Sequence, residues 1–95
     1  METTKSFTLI QGTFKILDAR YLLLNLYNEK ILYHNRQLAH IRECNAGDAA
    51  EVAQKIADLE SIRKSILEFF SVQDANLQVQ VNSDIQISFD LPMRD

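Results

Sequence analysis

The sequence is poor in the residues that usually form cross-links and turns. Its 95 residues include one cysteine, one proline, two glycines and no tryptophan. A single cysteine excludes an intrachain disulfide and any metal site built from several cysteines. The scarcity of proline and glycine, with a hydrophobic content of 46%, indicates an ordered chain with long regular elements. We therefore predict one domain over residues 1–95.

Charge and hydropathy argue against several classes of partner. The net charge of −3 gives no general attraction to phosphate or anionic lipid, so we predict no nucleic-acid binding and no membrane binding. The N-terminal residues lack the pattern of a signal peptide, and the apolar run Leu22–Leu26 is too short to span a bilayer. An unpaired Cys44 near a predicted helix end suits a reducing compartment, and we expect a cytoplasmic protein.

The first element is predicted to be a β-strand over Ser6–Phe14, which is rich in Phe, Thr and Ile. Its alternation of apolar and polar residues slips at Leu9-Ile10. Two explanations remain open: a strand buried on both faces, or a β-bulge near Gly12.

Two helices follow. The first starts between Lys15 and Asp18 and runs to about Glu43, with no Ser, Thr or Asp cap if Lys15 holds that position. The breaker cluster 45–47 ends it, and Asp48 with Glu51 forms a capping-box pattern that opens a second helix, from Ala49 to about Ser71. The short connection predicts antiparallel neighbours.

The C-terminal segment alternates apolar odd positions with polar even positions. The odd residues are Leu77, Val79, Val81, Ile85, Ile87, Phe89 and Leu91. A hairpin with a loop at 82–84, pairing Val81 with Ile85 and Val79 with Ile87, keeps one apolar face. One long strand crossing between subunits would keep the same face. Typical strand lengths favour the hairpin.

These elements predict an α+β fold. The chain forms a strand, an antiparallel two-helix hairpin, and then a β-hairpin or one long strand. The strands form a small antiparallel sheet that packs on the helices.

A polar stripe interrupts the core-facing side of the first helix. Lys30, His34 and Gln37 stack along one helix face, and the helical hairpin brings this region opposite Glu60 and Arg63. A histidine between a lysine and a glutamate could transfer protons, which makes a small-ligand or catalytic domain the alternative function. We favour a structural polar patch and assign no catalytic residue.

Metal and cofactor sites are not expected. His34 and His40 are six residues apart, so they lie on different helix faces, whereas a helical metal site needs a spacing of three or four. The two glycines are isolated and form no phosphate loop.

The first half of the first helix, Tyr21–Tyr33, is apolar almost all the way round. A helix of this kind must be covered on every side, and one small chain offers too few neighbours. We therefore predict a homodimer that buries Leu22, Leu24, Tyr27 or Ile31 between chains. The favoured function is that of a small non-enzymatic homo-oligomer acting through contact with another protein.

A set of residues in the first third of the chain resembles a family of short uncharacterised bacterial proteins. The residues are Gly12-Thr13-Phe14, Ala19, Leu22-Leu23, Leu26, Lys30-Ile31 and His34-Asn35. Members open with a strand, then "GTF", then a capped helix ending near K-I-x-x-H. This chain departs at Lys15-Ile16, where similar sequences carry a Ser-Pro cap. The resemblance implies a bacterial cytoplasmic protein and no known activity.

Overall fold

The structure, a computed structural model, describes residues 4–45 and 47–89. The elements are strand β1 (Thr4–Lys15), helix α1 (Ile16–Cys44), helix α2 (Ala49–Ser71) and strand β2 (Gln78–Ser88). The two strands pair as an antiparallel sheet packed on the helices. The predicted α+β fold is confirmed.

Helix α1 begins without a loop and ends in a tight turn. Lys15 occupies the N-cap and makes no side-chain capping bond, so the strand continues directly into the helix at Ile16. At the other end, Asn45 is left-handed with φ 51° and donates its N–H to the Ile41 carbonyl. Gly47 has φ 102°, a conformation that glycine adopts without strain.

Helix α2 begins at the predicted cap. The Asp48 side chain accepts a hydrogen bond of 3.1 Å from the backbone N–H of Glu51, which satisfies one of the free donors of the first turn. The Glu51 carboxylate lies 3.5 Å from the Lys55 ammonium one turn further on. The predicted bounds of this helix, Ala49 to Ser71, are those of the structure.

The helices share one apolar seam. Its buried members are Ile31 and Leu38 from α1 and Val52, Ile56 and Leu59 from α2. Tyr27, Ile41 and Ala49 pack against this cluster. Their spacing of three or four residues is that of an amphipathic helix face, so the seam fixes the helices as antiparallel neighbours.

A second buried cluster joins the sheet to the helices. Ile16, Ala19 and Phe70 form its centre. The partly buried residues around it are Phe14, Leu23, Ile66, Val79 and Val81. The start of α1 and the end of α2 therefore pack together with the end of the sheet that lies nearest to α1.

The two strands, together called the β-ribbon, have a bulge that aligns their apolar residues. Phe14 pairs with Val79 and Gly12 with Val81, whereas Leu9 has no partner because the register shifts between Thr8 and Ile10. Beyond the shift, Phe7 pairs with Ile85. The bulge explains the slip in alternation, and it lies at Leu9 rather than at Gly12.

The bulge leaves one face of the β-ribbon polar throughout. The residue pairs on that face are Thr4–Ser88, Ser6–Gln86, Thr8–Asp84, Gln11–Asn82, Thr13–Gln80 and Lys15–Gln78. The Thr4 and Ser88 hydroxyls lie 3.0 Å apart and form a hydrogen bond. A polar face of this kind is suited to contact with solvent.

The preference for a C-terminal hairpin was wrong. Residues 82–84 continue the strand, and β2 pairs with β1 over its whole length. The period of two across Asn82-Ser83-Asp84 never breaks, so β1 could take the place of a second hairpin arm.

The apolar face is covered at one end of the β-ribbon only. At the base, Val79 and Val81 are partly buried against the helices. At the tip, Ile85 and Ile87 remain 40% and 41% exposed, and Phe7 remains 48% exposed. The predicted burial of the odd residues therefore holds, within one chain, for Val79 and Val81 and not for the others described, since Leu77 is 50% and Phe89 76% exposed. Leu91 lies outside the described residues.

The chain is flat and extended for its size. Its principal extents are 56 × 38 × 14 Å, and its radius of gyration is 17.4 Å. A compact domain of this length would have a radius of gyration of about 12 Å.

The base of the β-ribbon supplies a test of the face assignment. Val79→Asp places a charge among Ile16, Ala19 and Phe70, and we expect it to lower the free energy of unfolding by about 2 kcal/mol or more. Gln80→Asp, on the exposed face, should cost about 0.5 kcal/mol or less. Urea melts measure both, and equal losses would contradict the assignment.

Candidate functional site

The predicted polar stripe borders a shallow groove between the two helices. Lys30 and His34 of α1 line it together with Lys55, Asp58 and Leu59 of α2, and its volume is about 370 Å³. The groove holds two lysines, a histidine and a carboxylate. It is open to solvent, so water screens these charges from one another.

His34 is held by its own helix. Its Nδ1 lies 3.0 Å from the Gln37 side-chain oxygen, one turn further along α1. The Tyr33 ring packs against the imidazole edge-on, with centroids 5.2 Å apart. These contacts keep the ring partly buried, as expected for a structural histidine.

The structure divides the predicted five-residue cluster. Glu60 is exposed and is not among the residues that line the Lys30–His34 groove. Arg63 donates a 2.6 Å hydrogen bond to the side-chain oxygen of Asn28. Lys30, His34 and Gln37 therefore stay together, while the residues that α2 brings to them are Lys55 and Asp58.

The helix seam explains which acidic residue faces the histidine. Ile56 and Leu59 point into α1, so Asp58 projects to one flank of the seam and Glu60 to the other. The two carboxylates therefore lie on opposite flanks of the seam, and Asp58 is the one that lines the groove with Lys30 and His34.

Within residues 4–45 and 47–89, no group of three His, Cys, Asp or Glu side chains lies close enough together to hold a metal ion. The His40 imidazole and the Cys44 thiol form an exposed pair, with Nδ1 and Sγ 3.7 Å apart. His40 and Cys44 are one helical turn apart. Among the described residues, no third His, Cys, Asp or Glu side chain joins them to form a metal site.

A larger and more apolar groove lies between the β-ribbon and α1. Its volume is about 590 Å³. Its lining comprises Leu9, Ile10, Ser83 and Ile85 from the ribbon and Leu23, Leu26, Tyr27 and Lys30 from α1. Leu9 and Leu26 are 41% and 39% exposed. The ribbon therefore folds back over the helix without closing on it.

The predicted interface residues differ in how much surface they still offer. Ile31 is 6% exposed in the helix seam, and Tyr27 packs against that seam. Leu22 remains 38% exposed, and Leu24 is partly buried. Helix α2 thus covers one side of the all-round apolar segment, and other sides stay open.

The strand residues Phe7, Leu9, Ile85 and Ile87 were missed as candidate contact residues. The odd–even pattern of β2 marked an apolar face, which sequence reasoning assigned to the core. The available signal was size: two helices and two strands offer too little surface to cover both that face and α1.

No helix among the described residues is both long enough and apolar enough to cross a membrane. Comparisons with protein-family models, with curated proteins and with solved structures find no match.

His34 supplies a test of whether the polar groove is structural. We expect His34→Leu to leave the free energy of unfolding unchanged or raise it by up to about 1 kcal/mol, because an apolar group removes a desolvation cost and Gln37 can turn to water. The buried neighbour Leu59, changed to Ala, should cost about 3 kcal/mol. Urea melts that show comparable losses for both variants would contradict the expectation that an apolar side chain can replace His34 in the fold.

Proposed function

We propose that this protein is a homodimer that acts through contact with another protein rather than as an enzyme. The observation that carries the proposal is the amount of apolar surface that a single chain leaves open. The tip of the β-ribbon and the outer side of α1 both present large apolar side chains to solvent.

The exposed area has the size that a dimer interface requires. The chain exposes 8012 Å², whereas a compact monomer of its mass exposes about 5600 Å². The difference is roughly 2400 Å². A standard interface buries about 800 Å² per partner, and obligate dimers bury more. One copy therefore has surface for a dimer interface and for a further contact.

Many of the exposed apolar residues belong to one of two regions. The tip of the β-ribbon carries Phe7, Leu9, Ile85 and Ile87, and it continues into the groove against α1. The helical region carries Leu17, Tyr21, Leu32, Phe69 and Val72. We assign the first region to the homodimer, because the tip of the β-ribbon combines an exposed apolar face with an open strand edge. The second region is left for a protein partner.

The alternative function is a small-ligand site in the groove of Lys30, His34, Lys55 and Asp58. Its support is the presence of both charge signs in one depression. Its weakness is that the groove is open to solvent and that Nδ1 of His34 is already hydrogen-bonded to the Gln37 side chain. Small ligands prefer enclosed, mostly apolar cavities.

We also propose a bacterial cytoplasmic location. The Cys44 thiol is free and exposed, and an oxidising compartment would pair or oxidise such a thiol. The residues shared with the short bacterial proteins support the same assignment.

Light scattering tests the homodimer. At tens of micromolar concentration, the protein should elute at twice its chain mass of 10.9 kDa, because the apolar tip of the β-ribbon is unfavourable in water. A single species of the chain mass across that range would contradict the proposal.

A charge at the ribbon tip tests the assigned surface. Ile87→Asp should weaken dimerisation by about 100-fold or more, because twofold symmetry places the buried charge in the interface twice. The change should be tolerated within one chain, since Ile87 is 41% exposed there and pairs with Lys5. Gln86→Asp, the next residue on the polar face, is the matched control and should stay dimeric. Equal dimerisation of the two variants would show that the tip is not the interface.

A further inference from the structure

The β-ribbon has two open edges, and they differ in how well they could pair with a further strand. Within the part of the chain that the structure describes, the sheet has two strands, so β1 and β2 each pair on one side there. Strand β1 is interrupted by the bulge at Leu9, a device that blunts an edge. Strand β2 shows no register shift of its own, contains no proline and carries one charge, Asp84. It is therefore the better template for another strand.

We propose that β2 pairs with β2 of a second copy, antiparallel, about a twofold axis at Ser83. The product is a continuous four-stranded sheet in the order β1-β2-β2-β1. This inference rests on the homodimer proposed above and specifies how its two chains meet. The second copy is the committed occupant, since the strand is complementary to itself.

The sequence of β2 fits this pairing. Ser83 is the central residue of Gln78–Ser88, so a twofold axis there uses the whole strand. Val81 then lies opposite the partner's Ile85, and Val79 opposite the partner's Ile87. Apolar residues meet apolar residues because the side-chain period is two. An axis shifted to lie between two residues would set apolar against polar side chains.

The pairing also covers what one chain leaves open. Each ribbon tip, with Ile85 and Ile87, would lie beside the base of the other ribbon. The base residues Val79 and Val81 already pack on Ile16, Ala19 and Phe70. The exposed half of each apolar face is thereby placed next to the helices of the second copy. The two half-covered faces become one apolar layer.

Charge is compatible with the same axis. Asp84 would lie opposite the partner's Asn82, so no like charges face each other across the new pair. An axis at Asp84 would place the two carboxylates directly opposite and is disfavoured. On the polar face, Gln80 meets the partner's Gln86, and both amides can donate and accept hydrogen bonds.

Disulfide trapping tests the register. In a Cys44→Ser background, Ser83→Cys should form a disulfide dimer under mild oxidation, because opposed residues of an antiparallel pair have Cα atoms about 4.5–5.5 Å apart, within disulfide range. Gln11→Cys is the matched control: it is also exposed and lies next to β2, on β1. Trapping at Ser83 and not at Gln11 supports the proposal, and equal trapping overturns it.

A charge placement gives a second, independent readout. Asn82→Asp would place each new carboxylate opposite the partner's Asp84. The dimer would then contain two pairs of like charges, which should weaken dimerisation about tenfold. Gln86→Asp has the same spacing from Asp84 along the strand, but it faces the partner's Gln80 and should change dimerisation little. Sedimentation equilibrium measures both. Equal dissociation constants for the two acidic variants would overturn the pairing.

The outcomes separate this inference from the homodimer itself. A wild-type protein that stays monomeric contradicts both. A wild-type dimer with no preferential trapping at Ser83 contradicts β2 pairing and leaves the homodimer standing.

Discussion

The packing of the β-ribbon on α1 depends on one unpaired residue, Leu9. Without the bulge, the apolar side chains of β1 on either side of Leu9-Ile10 would point to opposite faces. With it, Phe7, Ile10 and Phe14 share the face of the odd residues of β2. One face can then pack on Ile16, Ala19 and Phe70 while the other remains polar. The absence of a loop between β1 and α1 fixes the base of the ribbon at the start of the helix.

The base of the β-ribbon packs on residues from both helices. Their seam of Ile31, Leu38, Val52, Ile56 and Leu59 is completed within one chain. The ribbon, by contrast, is only half covered. A two-stranded sheet is marginal in water by itself, and its free end gains stability only from a further layer or a further strand. The helix pair therefore completes its apolar seam within one chain, whereas the tip of the β-ribbon keeps apolar side chains exposed.

Local signals predicted the elements well. Asp48 and Glu51 marked the start of α2, and the Asn45–Gly47 cluster marked the end of α1, because caps and turns are determined by neighbouring residues. The continuity of β2 was harder to predict. Asn82-Ser83-Asp84 has the composition of a turn, and the strand that pairs with it, β1, is distant in sequence. The choice of Asp58 over Glu60 beside Lys30 and His34 depended on helix rotation, which the seam sets and the spacing of charges does not.

In the proposed dimer, the outer edge of β2 is covered by a second copy. Hydrogen exchange of individual β2 amides measures this directly, because successive N–H groups of a strand point to opposite edges. If β2 pairs with a second β2, the amides at both odd and even positions around Ser83 should exchange slowly in the assembled protein, and the outward set should become fast on dilution to monomer. Fast exchange of every second β2 amide in an undiluted sample would show a free edge and contradict β2–β2 pairing.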